Sequence, residues 1–275
     1  MCLVALAIGA SERFPLVLAS NRDEFFERPA LPLAWWSPAP GAAPLLAGRD
    51  LRGGGTWLGA NGKGRLALVT NIRRPGIPHA DTESRGAIVP QWLAGDAGID
   101  AFWHQLRPVR FPGFNLIVAD LRRNVFAWAA SDLARPRPLT PGIHGLSNAA
   151  LDTPWPKVEA LKARLTQAVA KADDPERLRA ALFEALADRH LAPDAELPST
   201  GVPLDVERWL SAAFIRSPET HYGTRCSTLV IAERIAGKHL RLECIERSHA
   251  HPGQAAGERR ESWLVQTDPE HRSPA

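Results

Sequence analysis

The first 26 residues read MCLVALAIGASERFPLVLASNRDEFF. They contain two apolar runs, residues 3–8 and 16–20, separated by a polar turn. Short apolar runs bounded by turn residues are typical of buried strands, so we predict an N-terminal β-hairpin. Antiparallel pairing brings the end of the second strand beside the start of the first, where Cys2 lies. The polar residues 21–24, Asn-Arg-Asp-Glu, are therefore expected next to Cys2.

The rest of the chain predicts more hairpins and a helical middle. Asn61-Gly62 lies between two strand-like segments, and residues 114–120 and 125–130 form another such pair. Apolar residues at helical spacing predict a helix behind Pro156 and a second one over about residues 175–186. The Pro-rich residues 29–44 are predicted to be irregular, and Asp205 to cap a short helix. Strands, helices and strands without βαβ alternation predict an α+β fold with antiparallel sheets.

Composition limits the functional class. We predict a single domain over residues 1–275 with a mobile tail from about residue 268. No apolar run approaches the roughly 20 residues of a membrane span, which argues against integral membrane association. The net charge of +3 comes from 33 basic and 30 acidic residues spread along the chain, which argues against a nucleic-acid partner. Three cysteines at no metal-ligand spacing predict a reducing compartment, the cytoplasm, and no metal site.

Cys2 is the main candidate for chemistry. A Met followed by a small residue is a good substrate for initiator removal, which would leave Cys2 with a free α-amine. An α-amine has a pKa of about 7.7 to 8.0, so it can accept the proton of the thiol on the same residue. On position alone, the alternative is a cysteine that packs as a small apolar residue at the start of a buried strand.

Polar residues at strand ends complete the candidate site. Asp23 would hold the α-amine, and Arg22 would lower the pKa of the thiol. Asn71 and Asn148 each follow a predicted strand, and an Asn side chain can donate to a developing oxyanion. Arg225 lies in the polar run of residues 222–228, also at the edge of a predicted strand. The alternatives are ordinary turns for the Asn residues and a surface ion pair for Arg225.

Ten short motifs occur in order along the chain. They are Met1-Cys2, Asn21-Arg22-Asp23-Glu24, Ala47-Gly48-Arg49-Asp50, Gly54-Gly55-Thr56-Trp57-Leu58-Gly59, Leu68-Val69-Thr70-Asn71, Ser84-Arg85-Gly86, Phe114-Asn115-Leu116-Ile117, Ser147-Asn148, Pro154-Trp155-Pro156-Lys157 and Tyr222-Gly223-Thr224-Arg225-Cys226-Ser227-Thr228. Together they resemble the NRDE family, which includes the Transport and Golgi organisation protein 2 homologues. The resemblance extends from Met1 to about Ile231.

That family resembles a branch of the N-terminal nucleophile hydrolases, which implies a four-layer αββα sandwich of two antiparallel sheets between helical layers. By motif position, the resemblance implies the catalytic residues Cys2, Asp23, Asn71, Asn148 and Arg225. One departure is that the related hydrolases carry their early Arg slightly before the Asp-containing step, whereas Arg22 immediately precedes Asp23.

Two functions follow as hypotheses. The first is a cysteine amidohydrolase that acts on a small or N-acyl amide and requires no cofactor. The second is a non-catalytic carrier of haem or an acyl lipid in the same pocket, because members of this family have been linked to haem trafficking and acyl-lipid metabolism. The ligand would thus be a small-molecule amide, acyl compound or porphyrin. The residues predicted to contact it are Asn21, Arg22, Glu24, Trp35, Trp36 and Trp57.

Overall fold

The computed structural model describes residues 2–75, 82–217, 221–251 and 254–268. The predictions that Met1 is removed and that the tail is mobile concern residues outside these ranges. The strands are β1 (Cys2–Ile8), β2 (Leu16–Phe25), β3 (Ala30–Trp36), β4 (Leu45–Asp50), β5 (Leu58–Asn61), β6 (Arg65–Asn71), β7 (Phe114–Asp120), β8 (Val125–Ala130), β9 (Arg137–Pro138), β10 (Gly142–Leu146), β11 (Tyr222–Ala236), β12 (His239–Ser248) and β13 (Gly257–Gln266). The α-helices are α1 (Ile88–Ala94), α2 (Ile99–Leu106), α3 (Pro156–Ala170), α4 (Pro175–Leu186) and α5 (Leu204–Leu210).

The strands form two antiparallel sheets. The six-stranded sheet has the order β10-β1-β2-β11-β12-β13, and the seven-stranded sheet has the order β3-β4-β5-β6-β7-β8-β9. The second order follows the chain, and the connection between β6 and β7, residues 72–113, carries α1 and α2. The first brings β11 beside β2, so the late motif at residues 222–228 lies next to residues 21–24.

Three apolar layers hold these elements together. Leu6 and Leu18 pack between the sheets with side chains such as Leu68 of the seven-stranded sheet. Alternate residues of β1 and β2 pack against α3 and α4, and the outer face of the seven-stranded sheet packs against α1 and α2. The α+β fold with a four-layer αββα arrangement is therefore confirmed. Among the described residues, no helix is long and apolar enough to cross a membrane.

Some predictions of individual elements are confirmed and others are wrong. The N-terminal hairpin, the hairpin at Asn61-Gly62 and the helices α3 and α4 are confirmed. The prediction that residues 29–44 are irregular is wrong, because they contain the strand β3. The predicted cap at Asp205 is also wrong, since α5 begins at Leu204 behind Pro203 and has no side-chain cap.

Candidate functional site

Strand alternation divides the polar residues in the last part of β2 between two faces. Cys2 pairs with Arg22 across the β1–β2 ladder. Because alternate residues of a strand face the same side, Cys2 faces the same side as Val4, and Arg22 the same side as Leu18. Val4 and Leu18 point into the gap between the sheets. Asn21 and Asp23 follow the parity of Ala19, which faces the helical layer.

A cavity of about 390 Å³ opens beside the Cys2–Arg22 pair, at the start of β1. Among the predicted site residues, those that line it are Cys2, Arg22, Asp23, Glu24, Trp57 and Asn71. Other lining residues carry charge, namely Arg28, Asp50, Arg52, Glu83 and Arg85. The structure thus brings the candidate nucleophile together with half of its ten predicted partners in one polar, heavily charged cavity.

Cys2 is held firmly at this end of the sheet. Only 8% of the residue is exposed, and its carbonyl oxygen accepts a hydrogen bond from Ser147 Oγ at 3.1 Å. Burial raises the pKa of the Cys2 thiol; Asp23 adds to this rise, whereas Arg22 opposes it. A reactive thiolate at neutral pH therefore requires a nearby base or further positive charge.

Asp23 is buried on the helical side of Cys2. Thr224 Oγ1 donates to its carboxylate at 2.7 Å, and the hydroxyl of Tyr222 donates to its backbone carbonyl at 3.1 Å. Burial raises the pKa of Asp23, and the charge of Lys157 opposes that rise. Sequence reasoning noted Lys157 only within a motif. The sequence signal that could have identified Lys157 is its position in the first turn of an amphipathic helix, directly after Pro154-Trp155-Pro156.

Arg22 bridges the two sheets at the cavity wall. Its guanidinium lies over the Trp57 ring, 4.2 Å from the ring centroid, which is a cation–π distance. Trp57 fits because Gly48 has no side chain: a Cβ at that position would lie 2.4 Å from the ring. The Gly48 and Trp57 motifs therefore shape the wall beside Cys2.

Arg28 and Arg85, which sequence reasoning did not select, provide further positive charge. Arg28 forms an ion pair with Asp50 at 2.7 Å, and Arg85 donates to the carbonyl oxygen of Gly113 at 3.0 Å. Burial lowers the pKa of Arg85. The segment carrying Arg85 packs so tightly that a Cβ on Gly55 would lie 2.1 Å from the Gly86 carbonyl oxygen. The glycines of two predicted motifs thus allow this approach.

Asn71 and Asn148 have different positions. Asn71 lines the cavity. Asn148 is not among the described lining residues, is 1% exposed, and donates its Nδ2 to the carbonyl oxygen of Asn71 at 2.9 Å. The structure therefore places Asn148 behind Asn71 as a support.

Arg225 also supports the site from outside the cavity. Its guanidinium donates to the carbonyl oxygens of Phe25 and Arg28, at 3.0 and 2.6 Å, and to Gln254 Oε1 at 2.8 Å. These bonds hold the connection between β2 and β3. The geometry therefore favours a supporting role for Arg225 over direct contact with a substrate in this cavity.

Three residues predicted to contact substrate lie elsewhere. Asn21 donates to the carbonyl oxygens of Leu186 and Ala213, both at 2.8 Å, and so anchors the helical layer. Trp35 lines a separate cavity of about 580 Å³ and packs against Trp263. Trp36 donates its indole N–H to the Ala47 carbonyl oxygen at 3.1 Å. The prediction that Asn21, Trp35 and Trp36 line the Cys2 cavity is therefore corrected. Asn21 faces the helical layer, and Trp35 and Trp36 lie in β3, at the edge of the other sheet.

A second, less polar compartment adjoins the Cys2 cavity. It has a volume of about 330 Å³ and shares Glu24 and Asn71 with the first cavity. Its other lining residues are Phe25, Arg73, Val202, Val206, Trp209, Leu210 and Tyr222. Within the described part of the chain, no three side chains of His, Cys, Asp or Glu are grouped so that they could hold a metal ion.

Comparison with known proteins supports a family assignment. A Caenorhabditis elegans N-acylethanolamine-hydrolyzing acid amidase ortholog superposes with a TM-score of 0.45 at 12% identity, covering 84% of this chain and 92% of that chain. The Transport and Golgi organization protein 2 homologs of Homo sapiens and Bos taurus are 33% and 32% identical to this chain. Each alignment covers 85% of this chain and 89% of the relative. The family model described as Transport and Golgi organisation 2 matches residues 1–250, and the chain belongs to that family.

Proposed function

We propose that this protein is a cysteine amidohydrolase that cleaves an N-acyl amide, with Cys2 as the N-terminal nucleophile after removal of Met1. The observation that carries the proposal is the convergence of Cys2, Asp23 and Asn71 on one cavity. A free thiol nucleophile must stay reduced, which fits a reducing compartment such as the cytoplasm. The cysteines Cys2, Cys226 and Cys244 are all unpaired thiols.

The proposed reaction uses the α-amine of Cys2 as the base. The amine accepts the thiol proton, and the thiolate attacks the amide carbonyl carbon to form a tetrahedral intermediate. The side chain of Asn71 donates to the oxyanion. The C–N bond then breaks, the leaving amine takes the proton, and water hydrolyses the resulting thioester to release the acid and the free thiol.

The proposed roles of the remaining residues follow from their contacts. Asp23 holds the protonated α-amine, and Arg22 stabilises the thiolate. Asn148 and Arg225 act indirectly, since the first fixes Asn71 and the second fixes the chain after β2. Arg22, whose position departs from that of the early Arg in the related hydrolases, is thus proposed to act on the thiolate of Cys2.

The adjoining compartment supports an acyl group as the apolar part of the substrate. It meets the Cys2 cavity at Asn71, the proposed oxyanion donor. A substrate whose amide carbonyl lies beside Asn71 would extend its acyl chain toward Val206 and Trp209. Its polar amine portion would face the arginines of the Cys2 cavity. Pockets that bind small molecules commonly combine an apolar wall with a few polar groups in this way.

The test is hydrolysis of N-acyl amides of graded chain length, followed by mass spectrometry of the released acid. We expect turnover by wild type whose intact mass shows loss of Met1. We expect Cys2→Ala to fall to the uncatalysed rate and Cys244→Ala, which removes a core thiol, to remain active. Equal turnover by wild type and Cys2→Ala would contradict the mechanism.

A non-catalytic carrier is the second candidate. It is favoured by the side chains of Asn148 and Arg225, which are bonded to groups of the protein itself. The ligand would be an acyl lipid or haem, and Cys2→Ala would retain binding of the acyl lipid. Absorbance titration with haem tests the porphyrin version, which fails if no saturable shift is observed.

A further inference from the structure

Two arginines in the wall of the Cys2 cavity have no carboxylate partner. Arg52 and Arg85 both line the cavity, and among the residues that the structure describes neither forms an ion pair. The Arg85 residue is only partly exposed, and its Nη1 donates to the carbonyl oxygen of Gly113 at 3.0 Å. Its Nε and Nη2 have no bond to any described residue, so one edge of the guanidinium is left for a ligand.

The two arginines belong to segments that pack directly against each other. Arg52 lies in the turn after β4, and Arg85 begins the short 3₁₀ turn that precedes α1. A Cβ on Gly53 would lie 2.7 Å from Ser84 Oγ, so the two segments touch beside both arginines. The cavity wall therefore presents Arg52 and Arg85 on adjoining pieces of backbone.

The carboxylates of the same cavity are bonded within the protein. Arg28 pairs with Asp50 at 2.7 Å and approaches Glu24 to 3.8 Å. Across the described lining, each acidic side chain has a partner: Asp23 with Thr224, Glu24 and Asp50 with Arg28, and Glu83 with Arg110. A guanidinium keeps its charge in proteins, and a charge that is partly removed from water is costly unless it is paired. The wall around Arg85 is therefore suited to an anion that a ligand supplies.

We propose that Arg85 binds an anionic group on the amine portion of the substrate, and that the substrate is an N-acyl amino acid. A guanidinium with two N–H donors along one edge matches the two oxygens of a carboxylate. Arg52 adds a second positive charge beside it. This inference deepens the proposed function and rests on it for the reaction, whereas binding of the anion requires no hydrolysis.

The amine portion is the part of the substrate that reaches these arginines. The apolar compartment meets the Cys2 cavity at Glu24 and Asn71, and its described lining contains neither Arg52 nor Arg85. An acyl chain in that compartment places the leaving amine in the Cys2 cavity, where the two arginines lie. The carboxylate of an α-amino acid is separated from the amide nitrogen by a single carbon atom, so it stays in the same cavity.

The test is isothermal titration calorimetry with Cys2→Ala, which cannot form the thioester, and two ligands of nearly equal size. N-octanoylglycine carries a carboxylate, whereas N-octanoylglycinamide is neutral. We expect the acid to bind about tenfold to a hundredfold more tightly, as is typical of hydrogen bonds to charged groups. A third ligand, N-octanoyl phosphoethanolamine, offers a phosphate to the same donors. Tighter binding of this phosphate than of the acid would overturn the assignment to an amino acid.

Variants in the same Cys2→Ala background locate the anion. Arg85→Gln removes the charge and should lose most of the preference for the acid over the amide. Arg85→Lys should keep part of that preference, because Lys retains the charge but not the planar fork. The matched control is Arg177→Gln on α4, which removes the same charge from an exposed pair with Asp173 and should leave the preference unchanged.

The outcomes separate this inference from the proposed function. A preference for the acid that Arg85→Gln abolishes supports the inference even if wild type hydrolyses no amide. Equal binding of acid and amide, a preference that Arg85→Gln leaves unchanged, or no binding of any of the three ligands overturns it even if wild type turns over other amides. Should Arg85→Gln fail to fold, Arg85→Lys decides: a reduced preference supports the inference, and an unchanged preference overturns it.

Discussion

Gly48 shows how one residue without a side chain shapes the site. The Trp57 ring occupies the space where a Cβ would be, and the Arg22 guanidinium lies over that ring. The position of this cation near Cys2 therefore depends on a residue in the opposite sheet. Trp57 itself is partly buried and packs against the core between the sheets.

We expect Gly48→Ala to destabilise the protein and to slow Cys2 alkylation. The new methyl group would lie 2.4 Å from the Trp57 ring, so the ring must move and the overpacking should cost about 1–3 kcal/mol. Urea denaturation measures the first effect and iodoacetamide labelling the second. Gly62→Ala is the control, because a Cβ there meets nothing within 4 Å. Equal losses in both variants would show that Trp57 is not held as described.

At the scale of elements, Asn115 of β7 connects three parts of the chain behind the cavity. Its Nδ2 donates to Ala149 O at 2.8 Å and contacts Thr70 Oγ1 of β6 at 3.3 Å. Its Oδ1 accepts the indole N–H of Trp128 at 3.1 Å. Thr70 Oγ1 in turn donates to Ser147 O at 2.8 Å. The segment that carries Asn148 is thereby fixed to the seven-stranded sheet.

Asn115→Ala should weaken both the fold and the site. Each buried group left without its partner costs about 1–3 kcal/mol, and the segment that holds Cys2 O and Asn71 O would loosen. We expect a lower urea midpoint and, if the amidohydrolase proposal holds, a lower kcat at similar KM. Thr166→Ala is the control, since its hydroxyl bonds only within the exposed face of α3. A stability loss no greater than that of the control would argue against this network.

Elements with a clear period were predictable from the sequence, and β3 was not. Pro32 interrupts it, but β3 is an edge strand, and its register shifts between Leu31 and Ala34, so the missing N–H of Pro32 costs no ladder bond. The residues around Cys2 were predictable because a hairpin fixes its own neighbours. The positions of Asn148 and Arg225 were not, because sequence does not reveal which side chains bond to the protein's own carbonyl oxygens.

At the scale of the whole molecule, a buried carboxyl group joins the two sheets close to the site. Glu246 of β12 is 2% exposed and accepts a hydrogen bond from the backbone N–H of Leu33, in β3, at 2.8 Å. Leu33 lies in the irregular part of β3, so its N–H is free to leave the ladder and reach the opposite sheet. Burial raises the pKa of Glu246, although the bond from Leu33 and the charge of Arg22 oppose the rise.

This raised pKa makes the pairing of the sheets depend on pH. Below about pH 4 the carboxyl group is protonated in both the folded and unfolded states. As pH rises, the unfolded state releases its proton first, so the contribution of Glu246 to the free energy of unfolding falls until the folded-state pKa is passed. Each unit by which folding raises the pKa costs about 1.4 kcal/mol above that point.

Glu246→Gln cannot titrate and keeps an acceptor for the Leu33 N–H. We therefore expect its free energy of unfolding, relative to wild type, to increase as the pH rises above about 4 and to level off once the folded-state pKa of Glu246 is passed, as measured by urea denaturation at each pH. Glu258→Gln, which removes an exposed partner of Arg247, should show no such rise. A difference between Glu246→Gln and wild type that stays constant from pH 4 to pH 8 would mean that Glu246 has an unshifted pKa. The bond between the sheets would then carry no pH-dependent cost.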